Sequence, residues 1–287
     1  MKKFNLLSKL ATLSLASIVA VFSSCSQAPE IVVQSMTMDI PAGQTTFIEE
    51  LMPNEVIDTK ITHIAFVGPA TKTLNFSNDS TNMLIFMKGN GTLKADTTLY
   101  ELVPESIAIP ITYSSVEIDV PAGETLHFVQ FTKKITEDDR ISIADFPEEN
   151  RYDLYYTKFI DCEPYVEPIK SPNTVSRTVL PGDIIPRIAL GTVGAPGPDE
   201  VGAHVHPMLD QLFLGLEDNH ITVHADGASA VLPEFALLHI PLGSNHGVTV
   251  DANNEMYYLW MDFFMEREGQ EWLKTHQEIE DEEEKAE

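Results

Sequence analysis

Cysteine is nearly absent from this chain of 287 residues, which contains two, Cys25 and Cys162. A fold held together by several disulfides is therefore excluded. Nothing near Cys162 in the sequence marks it as an activated thiol, so we interpret it as a small buried apolar residue rather than as a nucleophile. Stability must come from hydrophobic packing, and the length suits two domains of ordinary size.

Positive charge is also scarce. The chain has 18 Lys and Arg residues against 44 Asp and Glu residues, and its net charge is −26 at pH 7. Such a surface repels nucleic acids and anionic lipid headgroups, so no nucleic-acid partner is expected. Part of the charge lies in residues 278–287, an acidic run that is typical of a solvated, frayed helix end. Loose binding of divalent ions by this run is the alternative.

Helical periodicity is missing from most of the sequence, and an amphipathic helix is predicted only over about residues 266–278. The body consists of short apolar runs bounded by Pro, Gly, Asn and Asp, such as residues 107–111 and 221–224. Runs of this kind indicate short β-strands that form barrels or sandwiches. The predicted fold class is therefore all-β.

The N-terminal segment resembles the signal of a bacterial lipoprotein. Lys2 and Lys3 precede an apolar run over residues 6–22, and two serines stand directly before Cys25. In that family the cysteine is lipidated and becomes the new N-terminus. The resemblance implies a protein attached by lipid to a membrane of the cell envelope, as a periplasmic or outer-membrane lipoprotein. An ordinary signal peptide or a membrane span is the alternative, although about 17 apolar residues is at the short limit for crossing a bilayer.

An internal repeat divides the β-rich body. Residues 83–98 resemble residues 212–228, and residues 118–131 resemble residues 248–263, at an offset of about 130. A duplicated barrel accounts for this similarity better than two unrelated β-meanders. The predicted organisation is a signal peptide (1–24), a tether (25–35), a first barrel (36–165), a second barrel (166–265) and an acidic helical tail (266–287).

Two histidine motifs occur in the second repeat. His204 and His206 are two residues apart, so they face the same side of a strand. His246 follows a Pro-x-Gly turn that would present it from another strand. Three neutral imidazoles that converge inside a barrel favour a metal site, whereas a single buried histidine would not. In one-letter code the motifs are GAHVHPMLDQ from residue 202 and PLGSNHG from residue 241.

These motifs resemble those of the cupin superfamily, in which His-x-His is followed by a fourth ligand and later by Pro-x-Gly-x-x-His. The resemblance covers the core of the second repeat. The glycine spacing before the first histidine differs by one residue, and Val250 stands where the family often has Asn. The implied fold is two tandem cupin barrels of the double-stranded β-helix or jelly-roll type, with a short C-terminal helix. The implied cofactor is one divalent metal (Fe, Mn, Ni or Zn), with His204, His206, Gln211 and His246 as its ligands.

The fourth ligand departs from the glutamate that is usual in the family. Strand alternation lets only one of Asp210 and Gln211 face the metal, and the spacing favours Gln211. A neutral amide leaves the full charge of a divalent ion in place, whereas a glutamate would reduce it by one unit. The metal would then attract anionic ligands more strongly and stabilise a ferric state less well. We therefore expect non-redox chemistry such as isomerisation, elimination or hydration.

Further residues of the second repeat are predicted to line the cavity. Phe213 shares the strand face of Gln211, and Tyr258, Trp260 and Asp262 share one face of the last strand. An aromatic stripe of this kind is also a common core feature. His239 and Asp262 are the candidates for general acid and base.

The first repeat lacks these ligands. Leu74 and Phe76 occupy the positions of the two histidines of the first motif, Thr81 replaces the glutamine, and Ser115 falls near the third histidine. His127 aligns with an aromatic residue and is interpreted as structural. No metal site is expected in this repeat, which either packs against its partner or retains an apolar pocket.

Three functions remain open for a protein with this organisation. The first is a metal-dependent isomerase or lyase that acts on a small sugar acid or a related carbohydrate. The second is a module that captures a small ligand, such as an anionic sugar, without turnover. The third, a metal-dependent dioxygenase, is disfavoured by Gln211. Some cupins with a similar set of three histidines and one glutamine act on unsaturated uronates, which favours the first. The oligomeric state is left open.

Overall fold

A computed structural model describes residues 31–167, 169–206, 208–267 and 269 of the chain. The predicted signal peptide, Cys25 and most of the acidic helical tail lie outside these residues. Within the described ranges, no helix is long and apolar enough to cross a membrane.

The described part of the first half, which begins at residue 31, contains eleven strands, one α-helix and two short 3₁₀ helices. The strands are β1 (Val32–Ser35), β2 (Thr46–Leu51), β3 (Thr59–Val67), β4 (Ala70–Asn75), β5 (Ser80–Lys88), β6 (Gly91–Ala95), β7 (Thr98–Leu102), β8 (Ser106–Pro110), β9 (Ser115–Val120), β10 (Thr125–Lys134) and β11 (Leu154–Lys158). The helices are α1 (Glu137–Asp145) and the 3₁₀ helices Glu148–Asn150 and Phe159–Asp161.

Ten strands are present among the described residues of the second half. They are β12 (Pro164–Tyr165), β13 (Val175–Leu180), β14 (Ile188–Pro196), β15 (Asp199–Val205), β16 (Leu209–Gly215), β17 (His220–Ala225), β18 (Ala228–Pro233), β19 (Ala236–Ile240), β20 (Asn245–Val250) and β21 (Glu255–Phe264).

Each half forms a barrel from one large and one small antiparallel sheet. In the first barrel the strand orders are β11-β8-β5-β10-β3-β2 and β4-β9-β6-β7. In the second barrel they are β1-β19-β16-β21-β14-β13-β12 and β15-β20-β17-β18. Matching strands begin about 130 residues apart, so the two barrels are repeats of one topology. The predicted all-β fold of two tandem barrels is confirmed.

The N-terminal strand β1 is a difference from the predicted organisation. Residues 32–35 were assigned to a tether, but they pair antiparallel with β19, with Val33 opposite Leu238. In the first barrel the corresponding edge position, beside β8, is filled by β11. The second barrel therefore takes its edge strand from the start of the chain, a long-range pairing that no local sequence pattern reveals.

Helix α1 is a second difference, because no helix was predicted in this part of the chain. Thr136 caps its N-terminus by accepting a hydrogen bond from the Asp139 backbone, and the Asp139 side chain accepts one from the Thr136 backbone. The Asp139 carboxylate also pairs with Arg187 of the second repeat, with an Nε–Oδ1 distance of 2.6 Å. The helix thus connects the two barrels. Its sequence lacks the apolar periodicity that would have predicted it.

Three hydrophobic clusters account for most of the buried apolar residues. The lumen of the first barrel is filled with side chains that include Phe66, Phe86 and Phe128. The lumen of the second barrel holds a smaller cluster that includes Phe213 and Tyr258. The largest cluster lies between the outer faces of the two large sheets and joins the barrels into one body.

Candidate metal centre

Three histidines converge inside the second barrel. His204 on β15 lies directly opposite His246 on β20 in the antiparallel register, and His206 follows the end of β15. One ring nitrogen from each of the three histidines lies within 4.8 Å of the ring nitrogens of the other two. Among the described residues, these histidines are the one group of at least three potential ligand side chains placed closely enough to hold a metal ion.

The hydrogen bonds of two of these rings orient them towards a common point. The Nδ1 atom of His204 donates to the carbonyl of Gly202 at 2.8 Å, and that of His246 donates to the carbonyl of Ser244 at 3.1 Å. In both rings the lone pair on Nε2 is therefore available to a metal, which is the usual arrangement of metal-binding histidines. The Nε2 atom of His246 is buried without a hydrogen-bond partner.

A bulge in β15 allows the close approach of its histidine to β20. The register between the two strands shifts between Val201 and His204. Opposite the bulge lies Gly247, where a Cβ atom would come within 2.9 Å of the Val201 carbonyl oxygen. Glycine is therefore required next to His246 because any side chain would push the two ligand-bearing strands apart.

Gln211 lies on the opposite sheet and lines the same cavity as His206 and His246. Its Nε2 donates a hydrogen bond of 2.8 Å to Asp262, its cross-strand neighbour on β21. This bond fixes the amide with Oε1 on the other side, where it is buried without a partner. A buried acceptor without a donor is rare in folded proteins and indicates a missing partner such as a cation.

A small cavity lies between these side chains. Its volume is about 10 Å³, and its lining includes His206, Gln211 and His246. That volume suits one water-sized species. The residues present therefore fit a single metal ion with three imidazoles and one amide oxygen, a donor set that suits first-row divalent metals.

Burial controls the protonation of the site. It lowers the pKa of His204, and it lowers that of His246 to about 4. Both rings are neutral at neutral pH, which metal binding requires. Burial also raises the pKa of Asp262 to about 7, against the hydrogen bond from Gln211, which acts in the opposite direction.

No family model and no curated protein matches the sequence of this chain. Several solved structures are similar. A putative glyoxylate-induced protein from Pseudomonas aeruginosa matches with a TM-score of 0.62 and 12% identity over 88% of this chain and 93% of its own. An oxalate decarboxylase from Lactobacillus farciminis has a TM-score of 0.60 and 10% identity, with 84% and 88% covered. A cupin 2 conserved barrel domain protein from Leptotrichia buccalis has a TM-score of 0.54 and 11% identity, with 83% and 97% covered. This chain has the bicupin fold.

The aromatic residues of the second barrel lie on the predicted strand faces. On β16 and β21, Phe213 is paired with Trp260, one step along the same face from Gln211 and Asp262. The ring of Phe213 lies 4.6 Å from that of Tyr258. Trp260 packs over Gly191, and its Nε1 atom is buried without a partner. These side chains form the apolar wall of the lumen beside the histidines.

His239 is not brought to the three histidines. It lies on the same face of β19 as Leu237, which packs in the cluster between the barrels. Its Nδ1 atom is 2.9 Å from a carboxylate oxygen of Glu55 in the first barrel, and its Nε2 atom is 3.7 Å from Asp210. The prediction that His239 acts as general acid or base is therefore not supported, because strand alternation turns it away from the lumen.

Two charged residues that the motifs did not reveal lie beside the centre. Lys170 and Glu167 belong to the segment between the barrels, and their side chains pair at 2.7 Å. Both charges act on His204 and on Asp262. Only the contacts of the folded chain place them there, since the segment contains no recognisable motif.

The first barrel carries apolar residues at the positions that match the three histidines. Leu74 lies opposite Val116 on the neighbouring strand. The equivalent pair in the second barrel is His204 opposite His246. The counterpart of His246 is thus Val116 rather than the neighbouring Ser115. Leu74, Phe76 and Val116 all pack in the cluster that fills the lumen. Of the two alternatives for this repeat, packing against the partner is the one the structure shows.

Proposed function

We propose that this bicupin binds one divalent metal through His204, His206, His246 and Gln211 and uses it on a small acidic ligand. The observation that carries the proposal is the pair of unpartnered buried acceptors, Oε1 of Gln211 and Nε2 of His246, beside one small cavity. Leaving either acceptor unpaired costs about 1–3 kcal/mol. A cation between them removes that cost, and so explains the arrangement.

A divalent ion in this position would supply Lewis-acid polarisation of a ligand oxygen. The side chains around it have separate tasks. The neutral histidines and the Gln211 amide leave the charge of the ion uncompensated, which favours an anionic ligand. Phe213, Tyr258 and Trp260 exclude water from the lumen. Of the two residues predicted to move a proton, Asp262 is the one whose position next to Gln211 fits that task.

The favoured reaction is a non-redox isomerisation or elimination of a small sugar acid or related carbohydrate. It is supported by the neutral fourth ligand and by the resemblance to cupins that act on unsaturated uronates. The name of one structural relative, oxalate decarboxylase, also points to a small carboxylate as the ligand class. Capture of a small ligand without turnover is the second candidate, because the cavity of about 10 Å³ beside the histidines holds only one water-sized species.

Elemental analysis of the purified protein tests the metal assignment. We expect about one divalent ion per chain, and the loss of most of it in His206→Ala, because each histidine provides one of four protein bonds. The variant His220→Ala, at an exposed position on β17, should keep its metal and serves as control. Equal metal in His206→Ala and the parent, or two ions per chain, would contradict the assignment.

Incubation of the metal-loaded protein with unsaturated uronates, followed by ultraviolet absorbance, then separates turnover from capture.

We also propose that the protein is a lipoprotein of the cell envelope, anchored through Cys25. The support is the segment of residues 1–25, which combines two lysines, an apolar run and two small residues before the cysteine. Cys25→Ser should move the protein from the membrane fraction to the soluble fraction, because one lipid signal is the anchor that the sequence offers. Fractionation of cells that express each version is the measurement, and an unchanged distribution would refute the anchor.

A further inference from the structure

The segment between the barrels forms part of the wall of the metal-binding barrel. We call residues 166–171 the crossover segment, of which residue 168 lies outside the described residues. The carbonyl of Ile169 accepts a hydrogen bond of 2.8 Å from the backbone of Gly202, and Lys170 forms an antiparallel bridge with Val201. Ser171 donates to Asp199 at 2.6 Å. The crossover segment therefore runs along β15, the strand that carries His204.

Lys170 is the buried cation of this segment. Its side chain is 6% exposed, and its Nζ atom lies 2.7 Å from Glu167 and 2.9 Å from the Ser176 hydroxyl. The ammonium also lies over the ring of Tyr165, 5.5 Å from its centre. Burial of an ion pair contributes little net stability, because the cost of removing both charges from water offsets their attraction. An apolar side chain would close the wall equally well, so the charge calls for another explanation.

The Lys170–Glu167 pair acts on the same compartment as the histidines. Burial is the main cause of the shifted pKa values of His204 and Asp262, and the two charges contribute to both. Lys170 lowers these pKa values and Glu167 raises them. Lys170 is bridged to Val201, whose side chain packs in the lumen cluster, and paired residues of antiparallel strands share a face. The Lys170 side chain therefore faces the lumen that His204, three residues further along β15, also faces.

We propose that Lys170 determines specificity by binding the carboxylate of an acidic ligand whose neighbouring oxygen reaches the three histidines. The inference rests on the proposed function, which it deepens by assigning the group that recognises the acid. The ligand carboxylate takes the place of Glu167 as the partner of the ammonium. Lys170 remains paired throughout, so the exchange does not leave a buried charge uncompensated. A neutral sugar lacks the group that could displace Glu167.

Opposite effects of two substitutions test this role. The probe is D-glucuronate, with D-glucose as the neutral reference, and binding to the metal-loaded full chain is measured by calorimetry. Lys170→Met keeps the apolar stem and removes the charge, and we expect glucuronate to bind about tenfold more weakly or worse. Glu167→Gln removes the competing carboxylate, and we expect glucuronate to bind more tightly. Glucose binding, whatever its strength, should change little in either variant.

A purely structural ion pair predicts a different pattern, because both substitutions break the same contact. Equal losses of affinity and stability in the two variants would overturn the assignment, as would unchanged glucuronate binding in Lys170→Met. Metal content is measured in every sample. A parent protein that holds no metal, or that binds glucuronate as well as its His206→Ala variant does, refutes the proposed function itself. The two failures are thereby distinguished.

Discussion

At the scale of single residues, Gln211 shows how the site differs from one with a glutamate. The nearest carboxyl group on this sheet lies one residue further from the cavity, on Asp262, which accepts the Gln211 amide hydrogen bond at 2.8 Å and whose pKa burial raises to about 7. Gln211 lines the cavity, whereas the carboxylate of Asp210 lies on the side of His239, in keeping with strand alternation. The same alternation, applied to β19, would have excluded His239 from the site.

Replacing Gln211 by glutamate tests how the location of this charge affects ligand binding. Gln211→Glu should keep its metal, since a carboxylate oxygen is a suitable ligand. It should bind glucuronate about tenfold more weakly, because the added charge opposes that of the ion. Calorimetry on the metal-loaded variant is the measurement. The double variant Gln211→Glu with Asp262→Asn keeps the original count of carboxylates but leaves one of them on a metal ligand, so it should bind glucuronate about as weakly as the single variant. Unchanged affinity in the single variant would show that site charge does not govern anion binding.

At the scale of elements, the strands of each repeat could be predicted because their apolar runs and turns are local patterns. The elements that were missed depend on distant partners. Strand β1 takes the edge position that β11 takes in the first barrel, and its four residues carry no signal of that pairing. Helix α1 is held by a capping box and by Arg187 rather than by an apolar face. The crossover segment reaches β15 through backbone hydrogen bonds, which sequence patterns do not encode.

The residues of the candidate site also fall into two groups, those predicted by local patterns and those placed by distant contacts. His204, His206 and His246 could be predicted because motif spacing reports which residues share a face and which turn presents them. Lys170 could not, because its place beside the histidines follows from the path of the chain between two barrels. Residues on regular strands are thus readable from sequence, whereas residues on connecting segments require the structure.

At the scale of the whole molecule, the two barrels pack through the outer faces of their large sheets. Phe131 of the first barrel contacts Phe263 of the second, with ring centroids 6.0 Å apart. Polar links border this apolar layer, among them a hydrogen bond of 2.6 Å from the Tyr257 hydroxyl to Glu105. Because the lumen of the first barrel is filled, that barrel acts as a platform for the sheet that carries Gln211.

Two buried histidines on the first large sheet make this platform sensitive to acid. His63 donates from Nδ1 to Glu49 at 2.7 Å and accepts through Nε2 from Nδ1 of His127 at 3.1 Å. They lie on the strand face of Val129, which belongs to the layer between the barrels. Burial lowers the pKa of His127 to about 4, helped by the nearby charges of His63 and Lys88. Burial also lowers the pKa of His63 against the influence of Glu49.

The pH dependence of unfolding follows from these lowered values. Above about pH 6.5 His127 is neutral in both the folded and the unfolded chain, and it contributes no pH dependence. Between about pH 6.5 and pH 4, His127 is protonated in the unfolded chain but not in the folded chain, so stability falls as the pH falls. The full loss from this residue is about 3 kcal/mol, and it ends below about pH 4, where the folded chain is protonated as well.

Denaturant unfolding at pH 7 and pH 4.5, with metal removed by a chelator, measures this loss. In His127→Gln the amide keeps a polar contact with His63 but does not titrate, so the difference in unfolding free energy between the two pH values should shrink by about 2 kcal/mol. His220→Gln, at an exposed position, should leave the difference unchanged. An equal difference in His127→Gln and the parent would mean that the buried histidine pair is not a source of acid sensitivity. A larger difference would mean that His127 gains stability on protonation in the folded protein, opposite to the effect of its burial.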